Sequence, residues 1–305
     1  MNDAILPSWR PGGTRDALLD FLGQVEEIPP RDRVAVFDND GTMWSEKPNY
    51  TQLEFFVLEL QRAVAADASL ATRSEYAALL SGDQAAMAEI GLEGVATALL
   101  DLFAGTTPRE FDDRVARFFA EQVHPERKVP YRQTRYQPML ELMDELRSRG
   151  FDFYMVSAGG AEFVRVIAED FYGVKPEGVV GSQIDYSFGH DSEGRAQLLR
   201  TDHLVGSGPN EGPAKPPNIQ RILGRCPSVA GGNSAGDAEM LELAMAYDGP
   251  SLALLVDHDD AEREYAYESV AGTFAVDESI TDTAARLGWT VVSIRDDWAT
   301  VFSPS

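Results

Sequence analysis

The chain carries, at residues 33–44, the stretch RVAVFDNDGTMW, in which an apolar run ends in two carboxylates and a Gly-Thr turn. We expect the run to form a buried first strand over residues 33–38. In open α/β sheets, ligands bind in the crevice beyond the carboxyl ends of the strands. The carboxylates of Asp38 and Asp40, followed by Gly41 and Thr42, therefore predict a magnesium site that faces a phosphate.

The composition is that of a folded protein with a strong negative charge. Of the 305 residues, 44% are hydrophobic, which is enough for one large domain or two ordinary ones. The 50 Asp and Glu outnumber the 26 Lys and Arg and leave a formal net charge of −24. This charge argues against nucleic acid and anionic membrane surfaces as partners. An anionic substrate therefore needs a bound cation or local basic groups.

The sequence shows no targeting or membrane signal. Residues 1–12 mix Asn, Asp, Pro and Arg, and no run approaches the roughly 18 apolar residues of a membrane span. The single cysteine, Cys226, cannot form an internal disulfide. Because Cys226 precedes Pro227 at the start of an apolar run, we interpret it as a buried structural thiol. These features predict a cytoplasmic protein.

Residues 48–130 differ in character from the rest of the chain. They are rich in Ala, Leu, Glu, Phe and Gln, lack strand-like alternation and are interrupted by Ser81-Gly82-Asp83 and Gly105-Thr106-Thr107-Pro108. This pattern predicts four or five helices with apolar core positions at helical spacing. We therefore predict a helical cap domain over residues 48–130, inserted into an α/β core domain formed by residues 1–47 and 131–305. Its insertion point places the cap above the two carboxylates.

The second half of the chain alternates between strands and helices. Amphipathic helices separate the apolar runs at residues 151–156, 179–184, 227–231, 251–256 and 290–294. Residues 185–205 are polar and turn-rich, which predicts an excursion with a hairpin. Alternating strands and helices predict a doubly wound, mainly parallel, Rossmann-like sheet.

Polar residues stand at the ends of several of these strands or in the loops that follow them. Four groups are candidates for chemistry: Asp38 with Asp40, Ser157, Lys215, and Gly231-Gly232-Asn233-Ser234-Ala235-Gly236-Asp237. Each alone also fits an ordinary turn, a helix cap, a solvated charge or a tight loop. A further polar group, His258-Asp259-Asp260, follows another strand, and we interpret it as the charged start of a helix.

Together the four groups resemble, in order, spacing and strand context, the motifs of the haloacid dehalogenase-like (HAD) superfamily, over residues 34–256. The resemblance implies that Asp38 is a nucleophile that forms an aspartyl-phosphate. It implies that Asp40 protonates the leaving alcohol and then activates water. It also implies Mg²⁺ bound by the Asp38 carboxylate, the Asp40 backbone carbonyl, Asn233 and Asp237.

The same resemblance implies a set of phosphate ligands. These are Thr42 and Ser157, backbone N–H groups after the strands such as that of Ala158, and Lys215, which neutralises charge shared by nucleophile and phosphate. Lys175, which lies in a helix-to-strand connection, is the alternative to Lys215.

The fourth motif departs from the commoner family pattern, which has Asp where this chain has Asn233. An amide oxygen is an uncharged and weaker ligand for a hard cation. Either Asp237 supplies the missing charge or the metal binds less tightly.

The presence of Asp40 separates the branches of this superfamily. Members that dehalogenate carbon lack the second aspartate, whereas phosphatases and phosphotransferases keep it. The inserted helices resemble the C1-type cap of phosphoserine phosphatase-like members.

Trp44, Glu46 and Lys47 are the candidates for substrate specificity, because they follow the nucleophile closely. Glu46 could pair with a substrate amine, and Trp44 could offer an aromatic face. The alternative is that Trp44 packs within the lid and that Glu46 and Lys47 form a surface pair.

The sequence thus predicts a Mg²⁺-dependent phosphatase of small-molecule phosphomonoesters. Two alternatives stay open. One is a phosphotransferase that uses the same intermediate, and the other is a non-catalytic binding protein that keeps the fold.

Overall fold

The computed structural model describes residues 5–303 except residue 207, without the side chains of residues 84, 87, 88 and 91–93. The α-helices are α1 Gly13–Gln24, α2 Thr51–Ala66, α3 Ser74–Ser81, α4 Gln84–Asp101, α5 Pro108–Glu121, α6 Gln137–Ser148, α7 Ala161–Tyr172, α8 Lys215–Leu223, α9 Ala238–Met245, α10 Ile280–Leu287 and α11 Ile294–Asp297. The strands are β1 Val34–Phe37, β2 Asp152–Gly160, β3 Val179–Ser182, β4 Ile184–His190, β5 Ala196–Leu204, β6 Val229–Gly232, β7 Leu252–Asp257 and β8 Thr290–Ser293.

Six of these strands form one sheet in the order β3-β2-β1-β6-β7-β8. Every neighbouring pair in it is parallel. The chain moves from β1 outward to β3, then returns to place β6 on the other side of β1, so the strand order reverses between β1 and β6. A reversal of this kind opens a crevice at the carboxyl ends of the two strands. The predicted doubly wound, mainly parallel sheet is confirmed.

Helices cover both faces of the sheet, which explains why β1 is continuously apolar rather than alternating. Val34 and Val36 pack on one face with residues of α9 and α10, such as Met240 and Ala284. Ala35 and Phe37 point to the other face, toward residues of α1, α6 and α7. All four residues of β1 are fully buried. The strand that carries the first two carboxylates is therefore held firmly from both sides.

Helices α2 to α5 lie within the stretch predicted to be an insertion. They have a small apolar cluster of their own, built around Leu60, Tyr76 and Leu99. They also pack on the rest of the molecule, because the rings of Phe55 of α2 and Phe119 of α5 each lie tilted against Phe163 of α7, with ring centroids 5.5 and 5.4 Å apart. The helical insertion is thus anchored by aromatic contacts beside the sheet.

The hairpin of β4 and β5 adds a second anchor for these helices. The backbone N–H of Arg200 donates to the Thr106 carbonyl, and the Arg200 carbonyl accepts from Gly105 N–H, each at 2.9 Å. The buried Arg200 guanidinium forms an ion pair with Glu162 of α7. Arg200 therefore ties the loop before α5 to the α/β part of the chain.

Two local expectations from the sequence are wrong. Cys226 is exposed rather than buried, because it lies in the loop before β6 and not inside the strand. Residues 258–264 form turns rather than the start of a helix. Asp260 accepts hydrogen bonds from the N–H groups of Glu262 and Arg263, which closes this turn locally. In the part of the chain that is described, no helix is both long and apolar enough to cross a membrane.

Candidate active site

The sheet brings the strand-end residues together at one edge. Because β1 lies between β2 and β6, the ends of these three strands are neighbours. Asp38 follows β1 directly, Ser157 lies in the last part of β2, and Asn233 follows β6. A cavity of about 650 Å³ lies over them. The predicted site residues that line it are Asp38, Asp40, Glu46, Ser157, Ala158, Lys215, Asn233 and Asp237.

A buried ammonium joins two of the carboxylates. Lys215 is the first residue of α8 and is only 1% exposed. Its Nζ donates to Asp38 Oδ1 at 2.8 Å, to Asp237 Oδ1 at 2.5 Å and to the Val156 carbonyl at 3.0 Å. Burial alone would lower the pKa of Lys215, but the charges of Asp237 and Asp38 and the hydrogen bonds to both raise it. Lys215 therefore stays charged, whereas the alternative, Lys175, is exposed.

Asp38 is buried, and it has neighbours of both negative and positive charge. Asp38 is 7% exposed. Burial and the negative charge of Asp237 raise the pKa of Asp38, and Lys215 opposes both effects. Since Lys215 occupies Oδ1, the second oxygen of Asp38 is the one left for chemistry.

Asp40 is held by two side-chain donors. Trp44 Nε1 donates to Asp40 Oδ1 at 2.9 Å, and Asn39 Nδ2 donates to Oδ2 at 3.3 Å. Asn39 is fixed in turn by the hydroxyl of Tyr172, which donates to its Oδ1. Burial raises the pKa of Asp40, and the hydrogen bonds from Trp44 and Asn39 oppose this. A carboxyl with a raised pKa retains its proton to higher pH, as a general acid requires.

The position of Trp44 decides between the two roles that the sequence left open. Its ring has no exposed surface and packs among Phe119, Tyr131 and Phe171. Trp44 cannot offer a face to a substrate, because the aromatic cluster covers it. Its contribution to the site is the indole N–H that orients Asp40.

Thr42 also differs from expectation. It is completely buried and is not among the described residues that line the cavity. Its Oγ1 lies 3.3 Å from Asn233 Oδ1. The turn after Asp40 directs this hydroxyl toward the loop that follows β6, so Thr42 orients Asn233 rather than contacting a phosphate.

Asp237 has both carboxylate oxygens engaged within the protein. Oδ1 accepts from Lys215, and Oδ2 accepts from the backbone N–H groups of Asn233 and Ser234, each at 3.0 Å. Whether Asp237 also binds the metal directly stays a prediction. Asp237 closes the loop after β6 and holds Lys215.

Asn233 is the residue of this loop that has capacity for a ligand. It is 2% exposed, and its Nδ2 is a buried polar atom without a hydrogen-bond partner. Amide oxygen and nitrogen have nearly the same shape, so a flip of the amide places the oxygen at this position and lets the nitrogen donate to Thr42 Oγ1. The orphaned position then presents an oxygen, which is the ligand type that a hard divalent cation takes.

The residues present therefore fit a divalent cation. The Asp38 carboxylate, the Asp40 carbonyl and the Asn233 amide would supply one charged and two neutral oxygens. Within the described chain, no group of three or more His, Cys, Asp and Glu side chains is arranged to hold a metal ion. The proposed set of oxygen ligands does not depend on such a group, because two of its three members are an amide and a backbone carbonyl.

Gly41 is required between Asp40 and Thr42. Its φ of +76° lies in the left-handed region that favours glycine. A Cβ at this position would lie 2.0 Å from Asn233 Nδ2. The absence of a side chain at Gly41 thus lets the loop after β6 approach the turn after β1.

A buried histidine that the sequence analysis interpreted as the charged start of a helix contacts this turn. His258 follows β7 and is 2% exposed. Its Nε2 lies 2.8 Å from the Gly41 carbonyl oxygen, and its Nδ1 lies 3.2 Å from Glu264 Oε2. Glu264 also accepts from the hydroxyls of Ser45 and Tyr136. The position of His258 at a strand end was visible in the sequence but did not indicate its contact with Gly41.

Glu46 and Lys47 occupy different positions relative to the cavity. Glu46 lines it and is 5% exposed. Lys47 Nζ lies 3.8 Å from Glu46 Oε1 and 4.2 Å from the centre of the Tyr267 ring. Lys47 is not among the described residues that line the cavity. Of the three specificity candidates, Glu46 is the one that faces the cavity.

The geometry defines an α/β protein whose strand-end carboxylates and buried lysine share one cavity at the point where the strand order reverses. Residues 35–242 match the family model of the haloacid dehalogenase-like hydrolases. The match covers more than half of the chain, which therefore belongs to the HAD family of hydrolases. The resemblance of the four motifs to this superfamily is confirmed, and with it the prediction of a hydrolase.

Comparison with solved structures supports the fold. A protein of unknown function from Bordetella pertussis Tohama I matches 85% of this chain and 97% of its own, at 17% identity and a TM-score of 0.54. The cytosolic 5'-nucleotidase IIIB bound to cytidine matches 89% of this chain and 88% of its own, at 16% identity and a TM-score of 0.43. A phosphoserine phosphohydrolase-like protein from Francisella tularensis matches 83% of this chain and 99% of its own, at 16% identity and a TM-score of 0.39. No curated protein matches the chain. At these identities the first likeness shows the fold alone, and the other two are too weak to carry an argument.

The buried ammonium yields a prediction about stability. In metal-free buffer with EDTA, the substitution Lys215→Met leaves Asp38 and Asp237 as buried carboxylates without a cation. We therefore expect the free energy of unfolding to fall by about 3–5 kcal/mol. Urea denaturation measures this change. Lys175→Met, at an exposed position, should stay within about 0.5 kcal/mol of the parent protein.

A second substitution distinguishes lost charge pairing from lost packing. Adding Asp237→Asn to Lys215→Met removes one unpaired carboxylate and should restore part of the stability. If Lys215→Met is as stable as the parent protein, or if the double variant is less stable still, Lys215 does not neutralise these carboxylates.

Proposed function

We propose that the protein is a Mg²⁺-dependent phosphatase that hydrolyses small-molecule phosphomonoesters through an aspartyl-phosphate on Asp38. The observation that carries this proposal is the arrangement of Asp38 on one cavity with the Lys215 ammonium 2.8 Å away and Asp40 two residues further along the turn. A nucleophilic carboxylate, a fixed cation and a second carboxyl with a raised pKa are the groups that phosphoryl transfer through an aspartate needs.

In the first step a carboxylate oxygen of Asp38 forms a bond to phosphorus and the bond from phosphorus to the ester oxygen breaks. Asp40 gives its proton to the departing alcohol oxygen. Water then attacks phosphorus in the aspartyl-phosphate and passes a proton to Asp40. The bond from phosphorus to Asp38 breaks, so that phosphate is released and both aspartates return to their starting states. Splitting one difficult displacement into two steps lowers each barrier. General acid-base catalysis by Asp40 contributes about 10²–10⁴-fold in rate.

We assign phosphate binding to the side of the cavity that residues of β2 and α8 form. Ser157 and Ala158 line the cavity beside Asp38. Ser157 Oγ is fixed by the Gly159 N–H, which donates to it at 2.9 Å. Lys215 supplies positive charge for oxygens shared between the nucleophile and the phosphoryl group. Thr42 acts one step removed, through its contact with Asn233.

The Asp38 carboxylate, the Asp40 carbonyl and the Asn233 amide would hold the metal. When bound, Mg²⁺ neutralises phosphoryl charge and orients the ester, and waters and phosphate oxygens complete its octahedral shell. With one charged ligand, the protein contributes less charge to the ion than a site with two carboxylates.

Hydrolysis of p-nitrophenyl phosphate tests this proposal. We expect release of nitrophenol with Mg²⁺, and at least 10²-fold less after EDTA, with recovery when Mg²⁺ is returned. Asp38→Asn should abolish turnover, because an amide does not form the acyl phosphate. Asp144→Asn, which changes an exposed carboxylate of α6, serves as the matched control and should retain full activity.

Folded protein that releases no nitrophenol with Mg²⁺, or an Asp38→Asn variant with full activity, would contradict the proposal. Added alcohols test the phosphotransferase alternative. Faster turnover together with a new phosphate ester in the products would indicate transfer to an acceptor other than water.

The hydrogen bond from Trp44 to Asp40 yields a second prediction. Trp44→Phe keeps an aromatic ring in the cluster but removes the N–H donor to the carboxylate that forms when Asp40 gives up its proton, and a hydrogen bond to a charged group is worth roughly 1.5–3 kcal/mol. We expect kcat/KM for an alkyl phosphate to fall about 10–100-fold, because a poor leaving group depends on a correctly placed acid. The loss for p-nitrophenyl phosphate should be smaller, because nitrophenolate leaves readily without a proton.

The matched control is Trp9→Phe, which removes an indole hydrogen bond to the Pro138 carbonyl away from the cavity. Trp9→Phe should lower kcat/KM neither for the alkyl phosphate nor for p-nitrophenyl phosphate. Equal losses for alkyl and nitrophenyl esters in Trp44→Phe would mean that Trp44 does not act through the proton donor.

A further inference from the structure

Asp40 has two tasks in the proposed mechanism, and they use different atoms of the residue. Its carboxyl moves a proton, and its backbone carbonyl would hold the metal. Trp44 and Asn39 hold the carboxyl through hydrogen bonds to its two oxygens. Among the described backbone N–H groups, none donates to the Asp40 carbonyl oxygen. The direction of this carbonyl therefore depends on the peptide groups around it.

Gly41 joins the two peptide groups that decide this direction, and a glycine lets both rotate. The first peptide, between Asp40 and Gly41, donates its N–H to the Trp44 carbonyl at 2.9 Å. Because the N–H and C=O of a trans peptide point to opposite sides, the Asp40 carbonyl is turned away from the Trp44 carbonyl. The second peptide, between Gly41 and Thr42, makes a longer N–H contact, to the Asn39 carbonyl at 3.3 Å. Its own carbonyl needs a donor if the turn is to keep one conformation.

His258 supplies that donor. Its Nε2 lies 2.8 Å from the Gly41 carbonyl oxygen. A carbonyl oxygen only accepts hydrogen bonds, so Nε2 carries the proton in this contact. The imidazole has no exposed surface, and it stacks on the Tyr267 ring with 4.4 Å between the ring centroids. The contact with the turn is therefore shielded from water.

Glu264 fixes the orientation of the imidazole. Its Oε2 lies 3.2 Å from His258 Nδ1. Its carboxylate also accepts from the hydroxyls of Ser45 and Tyr136, at 2.6 and 3.1 Å, and from the Tyr265 N–H at 2.6 Å. Burial alone would raise the pKa of Glu264, but hydrogen bonds, among them those from His258 and Ser45, lower it. Several groups besides His258 thus hold this carboxylate in place.

The loop that carries Glu264 is itself fastened to the end of the chain. Arg263 donates to the carbonyls of Ile294 and Trp298, at 2.6 and 2.8 Å. A buried polar pair is often no better for stability than apolar side chains of the same volume. A buried histidine and carboxylate on a fastened loop, in contact with the turn after β1, therefore point to a role in positioning rather than in stability.

Resting on the proposed phosphatase function, we propose that His258, oriented by Glu264, is a positioning residue for the metal site. By holding the Gly41 carbonyl, it fixes the backbone of the turn and with it the direction of the Asp40 carbonyl. His258 acts on the backbone of the turn, whereas Trp44 acts on the carboxyl of Asp40.

Binding of Mg²⁺ to the full chain, measured by calorimetry without substrate, tests this role. Removing a group that holds a metal ligand typically weakens metal binding about 10–100-fold. We expect a rise of this size in the Mg²⁺ dissociation constant of His258→Leu. His258→Gln keeps an N–H donor for the Gly41 carbonyl and should recover most of the affinity.

Two further variants separate positioning from general loss of stability. His124→Leu is the matched control, because His124 is also 2% exposed and its Nε2 lies 2.7 Å from the Lys47 carbonyl oxygen, outside this turn. It should leave the Mg²⁺ dissociation constant unchanged even if the protein becomes less stable. If His258→Leu alone does not fold, adding Glu264→Gln removes the carboxylate that has lost its partner, and the same rise is expected.

The dependence on the leaving group distinguishes His258 from Trp44. At saturating Mg²⁺, His258→Leu should lower kcat/KM for an alkyl phosphate and for p-nitrophenyl phosphate by the same factor, because Trp44 and Asn39 still hold the Asp40 carboxyl. Trp44→Phe should show the opposite behaviour. It should bind Mg²⁺ as the parent protein does and lose more activity on the alkyl phosphate.

Three results would overturn the inference. These are a parental Mg²⁺ dissociation constant in folded His258→Leu or in the double variant, an equal rise in His124→Leu, and a His258→Gln variant as weak as His258→Leu. Hydrolysis of p-nitrophenyl phosphate separates this inference from the proposed function. If the parent protein hydrolyses this ester with Mg²⁺ but one of the three results is found, the positioning role is wrong and the phosphatase function stands. If the parent protein neither binds Mg²⁺ nor hydrolyses the ester, the proposed function itself fails.

Discussion

The buried Lys215 ammonium, held between Asp38 and Asp237, is the interaction on which the rest of the site depends. It joins the end of β1, the start of α8 and the loop after β6, which are far apart in sequence. Without a cation there, two carboxylates would share a buried space, and electrostatic repulsion and desolvation would favour their protonation. Lys215 thus fixes the geometry of Asp38 and lets a protein with a net charge of −24 hold a negative nucleophile at the sheet edge.

The same charge distribution shapes the rest of the cavity. The sheet edge offers one buried cation, already shared, and the other described lining side chains are acidic, neutral polar or apolar. Two side chains hold the turn after β1, because Trp44 donates to Asp40 and His258 contacts the Gly41 carbonyl oxygen. Selectivity then arises from what surrounds the phosphate site, because the groups that act on phosphorus would treat every ester alike.

The strand-end argument identified much of this arrangement from the sequence. It placed Asp38, Asp40, Ser157 and Lys215 together, because parallel strands bring their carboxyl ends to one edge. It left two roles open for Trp44 and misplaced Thr42, since the direction of a side chain after a turn depends on tertiary packing. It left Asp237 and Asn233 undecided, because which carboxylate a buried lysine engages cannot be read from spacing. The role of His258 was not predicted, since its partner, Gly41, lies more than 200 residues earlier in the chain.

The central claim is that Asp38 becomes phosphorylated, and chemical trapping tests it most directly. The protein is quenched in acid while it turns over p-nitrophenyl phosphate and is then treated with borohydride, which reduces an acyl phosphate to an alcohol. Mass spectrometry of the peptide that contains residues 34–44 should show homoserine at position 38, dependent on substrate and absent from Asp38→Asn. Rapid hydrolysis of the ester with no reduction product at position 38, or with the product at position 40, would contradict the account.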